Sequence, residues 1–249
     1  MPLSPKLQRA RDQIRKHLER FDWSGLTPGR LQILQAFLKL ATTEGYSAVT
    51  MRTLGKAINI KASSIYSHFP GGRDEIVTAI LRWHYYHYGM AMLKEIENCE
   101  NAGEVWDAIV RVRFQLQILQ PENDLWDILV ASDQIGKFLQ TEIREEVHHW
   151  LQLCARLYEV AANDMGYKNT EIKVRIVNTL LDGANSWCTL SKDAKDLEAW
   201  TMQALALARC ILSTQTDLQP GERATPRLVD NASKKAQTNK GVVLADTSE

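Results

Sequence analysis

Hydrophobic residues recur with a helical period along most of the chain, from its first residues to about Ser213. Ser4-Pro5 and Thr27-Pro28 each place an N-cap residue before a proline, which predicts that helices begin there. From Asp74 to Ser213, amphipathic segments separated by polar or glycine-containing breaks predict about five or six further helices and no strand. The pattern therefore predicts an all-α fold.

Two short helical segments with a tight link occupy Thr50–Phe69. Met51, Leu54 and Ile58 fall on one face of the first segment. Asn59 follows where the chain must turn, and asparagine tolerates a positive φ better than most residues. The second segment is polar apart from a few apolar anchors. The stretch therefore predicts a helix-turn-helix whose second helix could enter the DNA major groove.

Charge is distributed unevenly along the chain. The 30 basic and 30 acidic residues cancel overall, but the chain through Arg73 carries 12 basic and 4 acidic residues. The remainder carries 18 basic and 26 acidic residues, so a basic N-terminal third precedes an acidic body. This asymmetry favours a nucleic-acid-binding end. Residues 1–29 are predicted to be a basic helical extension whose amphipathic helix either packs on the next domain or contacts the DNA backbone.

Residues 30–80 contain an ordered set of landmarks: Ile33-Leu-Gln-Ala36, Gly45-Tyr46, Thr50-Met-Arg52, Ile60, Ile65-Tyr66-Ser-His68-Phe69 and Arg73-Asp-Glu-Ile76. This set resembles the DNA-binding domain of the TetR family of transcriptional regulators. The resemblance implies a three-helix helix-turn-helix domain over 30–73. A helical effector-binding and dimerisation domain would follow over 74–216, after the basic helical extension of 1–29. Residues 217–249 are rich in polar residues and poor in large apolar ones, which predicts a disordered tail.

The resemblance implies eight DNA-contacting residues. Serine hydroxyls at the base edges would give tolerant sequence readout, and further side chains would hold phosphates and fix the register. The predicted base readers are Ser63, Ser64 and Ser67, the predicted phosphate contacts are Thr50, Tyr66 and His68, and Arg52 could serve in either role. Lys61 stands where the family usually has a serine or threonine N-cap, and we expect it to contact a phosphate.

Aromatic residues are concentrated after the DNA-binding part of the chain. In TetR-like proteins the helices of this region enclose a largely apolar effector cavity. Phe114, Trp126 and Trp150 are the predicted lining residues. Arg111 and Arg113 interrupt an apolar stretch, and we expect them on the surface rather than at an anion site.

Two late helices are predicted to carry broad stripes of apolar and small residues. The stripes consist of Ile176, Leu180, Gly183, Ala184 and Trp187, and of Trp200, Ala204, Leu207, Ala208 and Ile211. The pattern alone leaves open whether the chain itself or a partner covers them. The resemblance favours a partner, because TetR-like proteins form homodimers through their last two helices. Two recognition helices about one DNA turn apart would then read a palindromic operator.

Catalytic and metal-binding motifs are not apparent in the sequence. His84 and His87 are three residues apart and His148 and His149 are adjacent, but two histidines do not form a metal site, and the H-E-x-x-H pattern is missing. No nucleophile elbow or phosphate-binding glycine loop is found, so neither enzymatic activity nor a cofactor is predicted. The start of the chain lacks an apolar signal segment and no apolar run would span a bilayer, so a cytoplasmic protein is expected.

These observations predict a homodimeric repressor that leaves its operator when a small-molecule effector binds. The alternatives are a TetR-like activator, a DNA-binding dimer without a ligand, and, with least support, a helical enzyme carrying a DNA-binding domain.

Overall fold

The computed structural model of the chain describes residues 3–120, 122–137, 139–188 and 194–215. Their helices are α1 (Pro5–Leu18), α2 (Pro28–Glu44), α3 (Met51–Ala57), α4 (Ala62–His68), α5 (Gly72–Ile96), α6 (Ala102–Leu119), α7 (Glu122–Gly136), α8 (Thr141–Asp164), α9 (Thr170–Asp182), α10 (Ala184–Trp187) and α11 (Ala194–Ser213), with a 3-10 turn at Tyr46–Ala48. Within these ranges all regular structure is helical, which confirms the predicted all-α class. None of these helices is long and apolar enough to cross a membrane. The predicted disordered tail lies outside the described residues.

The predicted helix starts of α1 and α2 are confirmed. The Ser4 hydroxyl accepts a hydrogen bond from the Leu7 amide, and the Thr27 hydroxyl accepts one from Arg30. Each cap satisfies an amide that has no partner within its helix. At the other end of α2, Gly45 takes a φ of 89°, a value that only glycine adopts readily.

Helices α2, α3 and α4 pack together at the N-terminal end of α5. Their shared core contains Leu34, Leu54, Ile65 and Phe69, each less than 1% exposed. Helix α5 continues without interruption from this cluster into the C-terminal helices. The boundary predicted after residue 73 therefore falls within the first turn of α5, so one helix serves both parts.

Helix α1 packs on α8 and α5. Leu7, Ile14 and Leu18 form its buried stripe, each 1% exposed or less. At its start the Ser4 hydroxyl donates a hydrogen bond to Asp164 at the end of α8. The basic N-terminal helix is thus attached to the C-terminal helices, leaving residues such as Arg9 and Lys16 exposed on its outer side.

One predicted helix is interrupted. The stripe from Ile176 to Trp187 predicts a single helix, but α9 ends at Asp182, and the one-turn helix α10 begins after Gly183. The indole of Trp187 donates to the carbonyl of Leu180. This bond satisfies a carbonyl at the end of α9 that lost its helical partner. The prediction of one continuous helix was wrong, because the apolar and small residues keep their helical spacing across the break at Gly183.

Candidate DNA-binding surface and ligand cavity

Helix α3 begins with a reciprocal cap formed by two threonines. The Thr50 hydroxyl accepts from the Thr53 amide at 3.1 Å, and the Thr53 hydroxyl accepts from the Thr50 amide at 2.8 Å. This arrangement satisfies two amides in the first turn. A helix of seven residues depends strongly on such local bonds, so the pair fixes where α3 starts.

The link between α3 and α4 relies on two residues with special backbone requirements. Asn59 has a φ of 57°, as the sequence predicts. The Ile60 amide donates to the Gly55 carbonyl at 2.9 Å, and a Cβ on Gly55 would lie 2.7 Å from the carbonyl oxygen of Ile60. Such a contact requires the backbone to move. Gly55 is therefore needed for the close approach of the turn, a role that the sequence did not reveal.

Helix α4 presents a polar face between two buried anchors. Ile65 and Phe69 are fully buried, whereas Tyr66 is 47% exposed. The predicted DNA contacts that are exposed are Thr50, Arg52, Lys61, Ser63, Ser64, Tyr66 and Ser67. Lys61 occupies the N-cap position of α4 and makes no side-chain cap. The exposed residues belong to α3, α4 and the residues that immediately precede these helices.

Like Thr50, two of the predicted contacts on α4 have partners within the chain. The Ser67 hydroxyl donates to the Ser64 carbonyl at 2.7 Å. His68 is half-buried, and its ring packs against Gly29, where a Cβ would come within 3.0 Å of the ring. Ser63 and Ser64 carry the more accessible hydroxyls of α4.

Two arginines of the basic N-terminal third, Arg30 on α2 and Arg73 on α5, stabilise the helix-turn-helix through hydrogen bonds to backbone carbonyls. Arg30 donates to the His68 carbonyl at 2.8 Å and lies 4.2 Å from the centre of the Phe69 ring. Arg73 donates to the carbonyls of Val49 and Tyr46. Arg30 therefore joins α2 to the C-terminal end of α4, and Arg73 joins the start of α5 to the residues that precede α3. From the sequence, these two arginines are recognisable only as part of the positive charge of the N-terminal third.

A cavity of about 350 Å³ lies among helices α5 to α9. Trp126 and Trp150, two of the three predicted lining residues, contribute to its wall. Phe114 does not, and its ring packs instead 5.6 Å from that of Trp187. Consecutive residues of a helix point about 100° apart. Because Arg113 faces the cavity, the neighbouring Phe114 must face another side of α6.

Arg113 is largely buried, contrary to the predicted surface position. Its side chain is 14% exposed and bridges two carboxylates. It donates to Asp182 through Nε at 3.0 Å, with a further short contact through Nη2, and to Asp127 through Nη2 at 3.2 Å. Burial raises the pKa of Asp127 to about 6, and the nearby charge of Asp182 adds to this shift while Arg113 opposes it. By contrast, Arg111 pairs with Glu198 nearer the surface.

His84 is a neutral member of the cavity wall. Burial lowers the pKa of its imidazole to about 3, and the positive charge of Arg113 lowers it further. Its ring lies 5.5 Å from that of Trp126. His87, the other histidine of the pair considered in the sequence, instead contacts the Trp83 carbonyl. In the part of the chain that is described, no group of three or more potential ligands could hold a metal ion.

The two predicted dimer stripes are partly covered by the chain itself. Ala184, Ala204 and Ala208 are fully buried within the chain. Five further members are half-buried, namely Leu180, Trp187, Trp200, Leu207 and Ile211, and Gly183 lies among them. Ile176 on α9 remains 43% exposed, and Met202 on α11, which was not predicted, is 53% exposed.

The helix-turn-helix places the chain among DNA-binding transcriptional regulators. The family described as "Bacterial regulatory proteins, tetR family" matches residues 33–80. These residues therefore form a DNA-binding domain of the TetR-family type.

Solved structures share the fold at low sequence identity. A regulatory protein in the tetR family from Rhodococcus RHA1 has a TM-score of 0.64 at 12% identity, covering 76% of this chain and 100% of that one. The ketosteroid transcriptional regulator KstR2 of Mycobacterium tuberculosis has a TM-score of 0.62 at 14% identity, covering 73% and 93%. AibR, in complex with isovaleryl coenzyme A and operator DNA, has a TM-score of 0.60 at 15% identity, covering 72% and 96%. No curated protein matches the sequence.

Proposed function

We propose that the chain is a homodimeric, non-enzymatic repressor that binds a palindromic operator and leaves it when a small molecule occupies the cavity. The observation that carries the proposal is the combination of an exposed, serine-rich α4 with a cavity whose helix α5 also packs on the DNA-binding helices. AibR, whose fold is similar, was solved with both a coenzyme A ester and operator DNA. Release requires that the effector binds the two dimer geometries with different affinity.

In this proposal residues 30–73 bind DNA and residues 74–216 hold the effector and the dimer interface. We assign α1 to the second part, since its apolar stripe packs on α8 and α5. Replacing Arg9, Arg11 and Arg15 together by glutamine should leave the salt dependence of operator binding unchanged. A slope reduced by about 1 for each lost phosphate contact would instead assign α1 to the DNA interface.

Base and phosphate contacts can be separated by single substitutions in α4. Tyr66→Phe should weaken binding to all DNA sequences by a similar factor, because a phosphate contact carries no sequence information. Ser63→Ala and Ser64→Ala should change base preference at particular operator positions. Selection of binding sites from random DNA, followed by affinity measurements with each variant, tests both. A Tyr66→Phe effect confined to one base position would overturn its assignment to the backbone.

The dimer is tested by charge placed on the exposed part of α9. Ile176→Asp should give a monomer in light scattering and a large loss of operator affinity, because two half-sites are no longer bound together. Leu119→Asp is the control, since Leu119 is 59% exposed at the end of α6. A dimer that survives Ile176→Asp would place the interface elsewhere.

An activator remains the second candidate, because DNA binding and effector response do not fix the direction of regulation. Transcription from the operator-bearing promoter with and without the protein distinguishes the two. A rise in transcription on adding the protein would replace repression by activation and leave the assigned surfaces unchanged.

A further inference from the structure

The described residues that line the cavity carry more negative than positive charge. Arg113 supplies one positive charge, while Asp127 and Asp182 each supply a negative charge when ionised. His84 is neutral near pH 7, and burial raises the pKa of the Cys154 thiol to about 12. Burial likewise raises the pKa values of the three lining tyrosines. One carboxylate charge therefore has no opposite charge of its own among these residues.

An anionic ligand is a poor match for this arrangement. The donors that Arg113 directs at Asp127 and Asp182 are already used in close contacts. An anion would have to displace one carboxylate from Arg113 and would then lie beside two like charges, whose repulsion is unfavourable. A cation needs no such displacement. Both Asp127 oxygens share one Arg113 nitrogen at 3.2 Å and keep further lone pairs, and Arg113 contacts only one oxygen of Asp182.

Aromatic rings form much of the cavity wall. The contributing rings are those of Tyr85, Tyr88, Trp126, Trp150 and Tyr158. The faces of such rings attract organic cations, including quaternary ammonium groups, most strongly when water is excluded. The rings also provide apolar surface for the rest of a ligand. The charge and the wall thus favour the same class of molecule.

Two buried polar atoms of the wall have no partner among the described residues. These are the Tyr85 hydroxyl and the Trp126 indole nitrogen. The two side chains are 6% and 2% exposed. Buried polar atoms are nearly always hydrogen-bonded, so a ligand with a polar group would supply the partner that the Tyr85 hydroxyl lacks. The hydroxyl of Tyr85 and the neutral ring of His84 can each accept a bond from an ammonium group.

We propose that the effector is an organic monocation, an amine or quaternary ammonium on a small apolar body, held between Asp127 and the aromatic wall. This inference rests on the proposed function, because it gives the chemistry of the effector that the cavity would receive. A volume of about 350 Å³ is near the lower end of ligand cavities, about 300 to 1,000 Å³. The molecule is therefore compact.

Calorimetry on the full chain with four probes of similar shape tests the assignment. The probes are 2-phenylethylamine, benzyltrimethylammonium, 2-phenylethanol and 3-phenylpropionate. Both cations should bind at least about tenfold more tightly than the alcohol, and the carboxylate should bind least. A stronger response to the primary amine than to the quaternary probe would identify a ligand whose ammonium donates hydrogen bonds.

Asp127→Asn should reduce cation affinity by about tenfold or more and leave the alcohol affinity unchanged. Alcohol binding by the variant also shows that its cavity is intact. Glu198→Gln is the matched control, because it removes a carboxylate paired with Arg111 on the same helix as Arg113 but outside the cavity. It should bind all four probes as the unmodified protein does.

The outcomes separate this inference from the proposed function. Preferred binding of 3-phenylpropionate, or cation binding that Asp127→Asn does not change, would overturn the cation assignment and leave an effector cavity in place. Failure of all four probes to bind, in protein that still binds its operator, would overturn both the cation assignment and the effector half of the proposed function. Loss of operator binding, with probe binding intact, would overturn the proposed DNA binding and leave the cation assignment in place.

Discussion

The imidazole of His17 on α1 stacks on the indole of Trp150 on α8, with ring centres 5.6 Å apart and planes inclined by 26°. Trp150 also forms part of the cavity wall. The N-terminal helix therefore supports the back of a residue that we expect to contact the effector. Both ring nitrogens of His17 lack a partner among the described residues, and the side chain is 4% exposed. The contact thus depends on an uncharged imidazole.

Protonation of His17 should weaken the attachment of α1. Burial lowers the pKa of this histidine, as do the charges of Arg20 and His149, while Glu146 opposes the shift. Because the folded-state pKa lies below the unfolded value of 6.5, the unfolded chain binds the proton more readily. Stability is therefore present at neutral pH and declines as the pH falls below about 6.5.

His17→Phe keeps a stacking ring and removes the titrating group. Its free energy of unfolding should change less than that of the unmodified protein between about pH 7.5 and about pH 5.5. Chemical denaturation at the two pH values measures the difference. Some pH dependence should remain, since the pKa of buried His84 is also lowered. His148→Phe, which removes an exposed histidine of α8, is the control. A slope that His17→Phe leaves unchanged would contradict this role.

Gly89 allows α1, α5 and α8 to approach one another closely. A Cβ at this position would lie 2.6 Å from Leu18 Cδ1 and 2.7 Å from Trp150 Cη2. Gly89→Ala should therefore destabilise the fold by about 1 to 3 kcal/mol, as overpacked cores do, and should lower affinity for the effector. Thermal unfolding and calorimetry give the two readouts.

Gly25→Ala is the control for this substitution, because a Cβ there meets nothing within 4 Å. Adding Leu18→Ala to Gly89→Ala removes one of the clashing groups. The double variant should lose less stability than the sum of the single variants, since the sites are in contact. Strict additivity would show that Leu18 is not the limiting contact.

Local features of this chain could be predicted from its sequence, because their causes lie within a few residues. Ser4 and Thr27 cap the helices that follow them, and Asn59 adopts its positive φ where the two apolar patterns meet. The exposed serines of α4 follow from the same periodicity. Each of these predictions rests on bonds between neighbours in the chain.

Features that depend on distant partners could not be predicted in this way. Arg111 and Arg113 share nearly the same local sequence, yet one pairs with Glu198 nearer the surface and the other is buried in the cavity wall. The partners of Arg113 lie 14 and 69 residues away. The apolar stripe of α1 likewise predicts that the helix packs, but gives no indication that α8 receives it.

The reciprocal cap at Thr50 should contribute to both stability and DNA binding. Thr50→Ala removes the acceptor for the Thr53 amide and should cost about 1 kcal/mol of stability. Under the proposed function it also removes a phosphate contact, so operator affinity should fall more than stability alone explains. Thr50→Ser keeps the hydroxyl and should restore most of both properties.

Thr43→Ala is the matched control for Thr50, since its hydroxyl donates only to the Lys39 carbonyl within α2 among the described residues. Denaturation curves and operator titrations of the three variants separate the two effects. If Thr50→Ala loses stability but binds the operator normally at a temperature where it is folded, Thr50 caps α3 without contacting DNA.

Cation binding should become weaker as Asp127 takes up a proton. Its carboxyl has a pKa of about 6, raised mainly by burial. The other ionisable side chains of the cavity wall are Arg113 from α6, Asp182 from α9, His84 from α5 and Cys154 from α8, together with the tyrosines. A bound cation favours the ionised carboxylate, so binding below about pH 6 must first displace the proton. His84, with a pKa of about 3, stays neutral in this range.

The affinity for 2-phenylethylamine should therefore be constant from about pH 8 to about pH 7 and should fall by up to about tenfold for each pH unit below the pKa of Asp127. The amine itself stays positively charged throughout, so the change reports the protein. Calorimetry across this range with Asp127→Asn should give a flat profile, because the variant has no proton to displace. If the affinity instead rises as the pH falls, protonation of the cavity wall strengthens the binding of the cation. That result would contradict a role for ionised Asp127 in holding the cation.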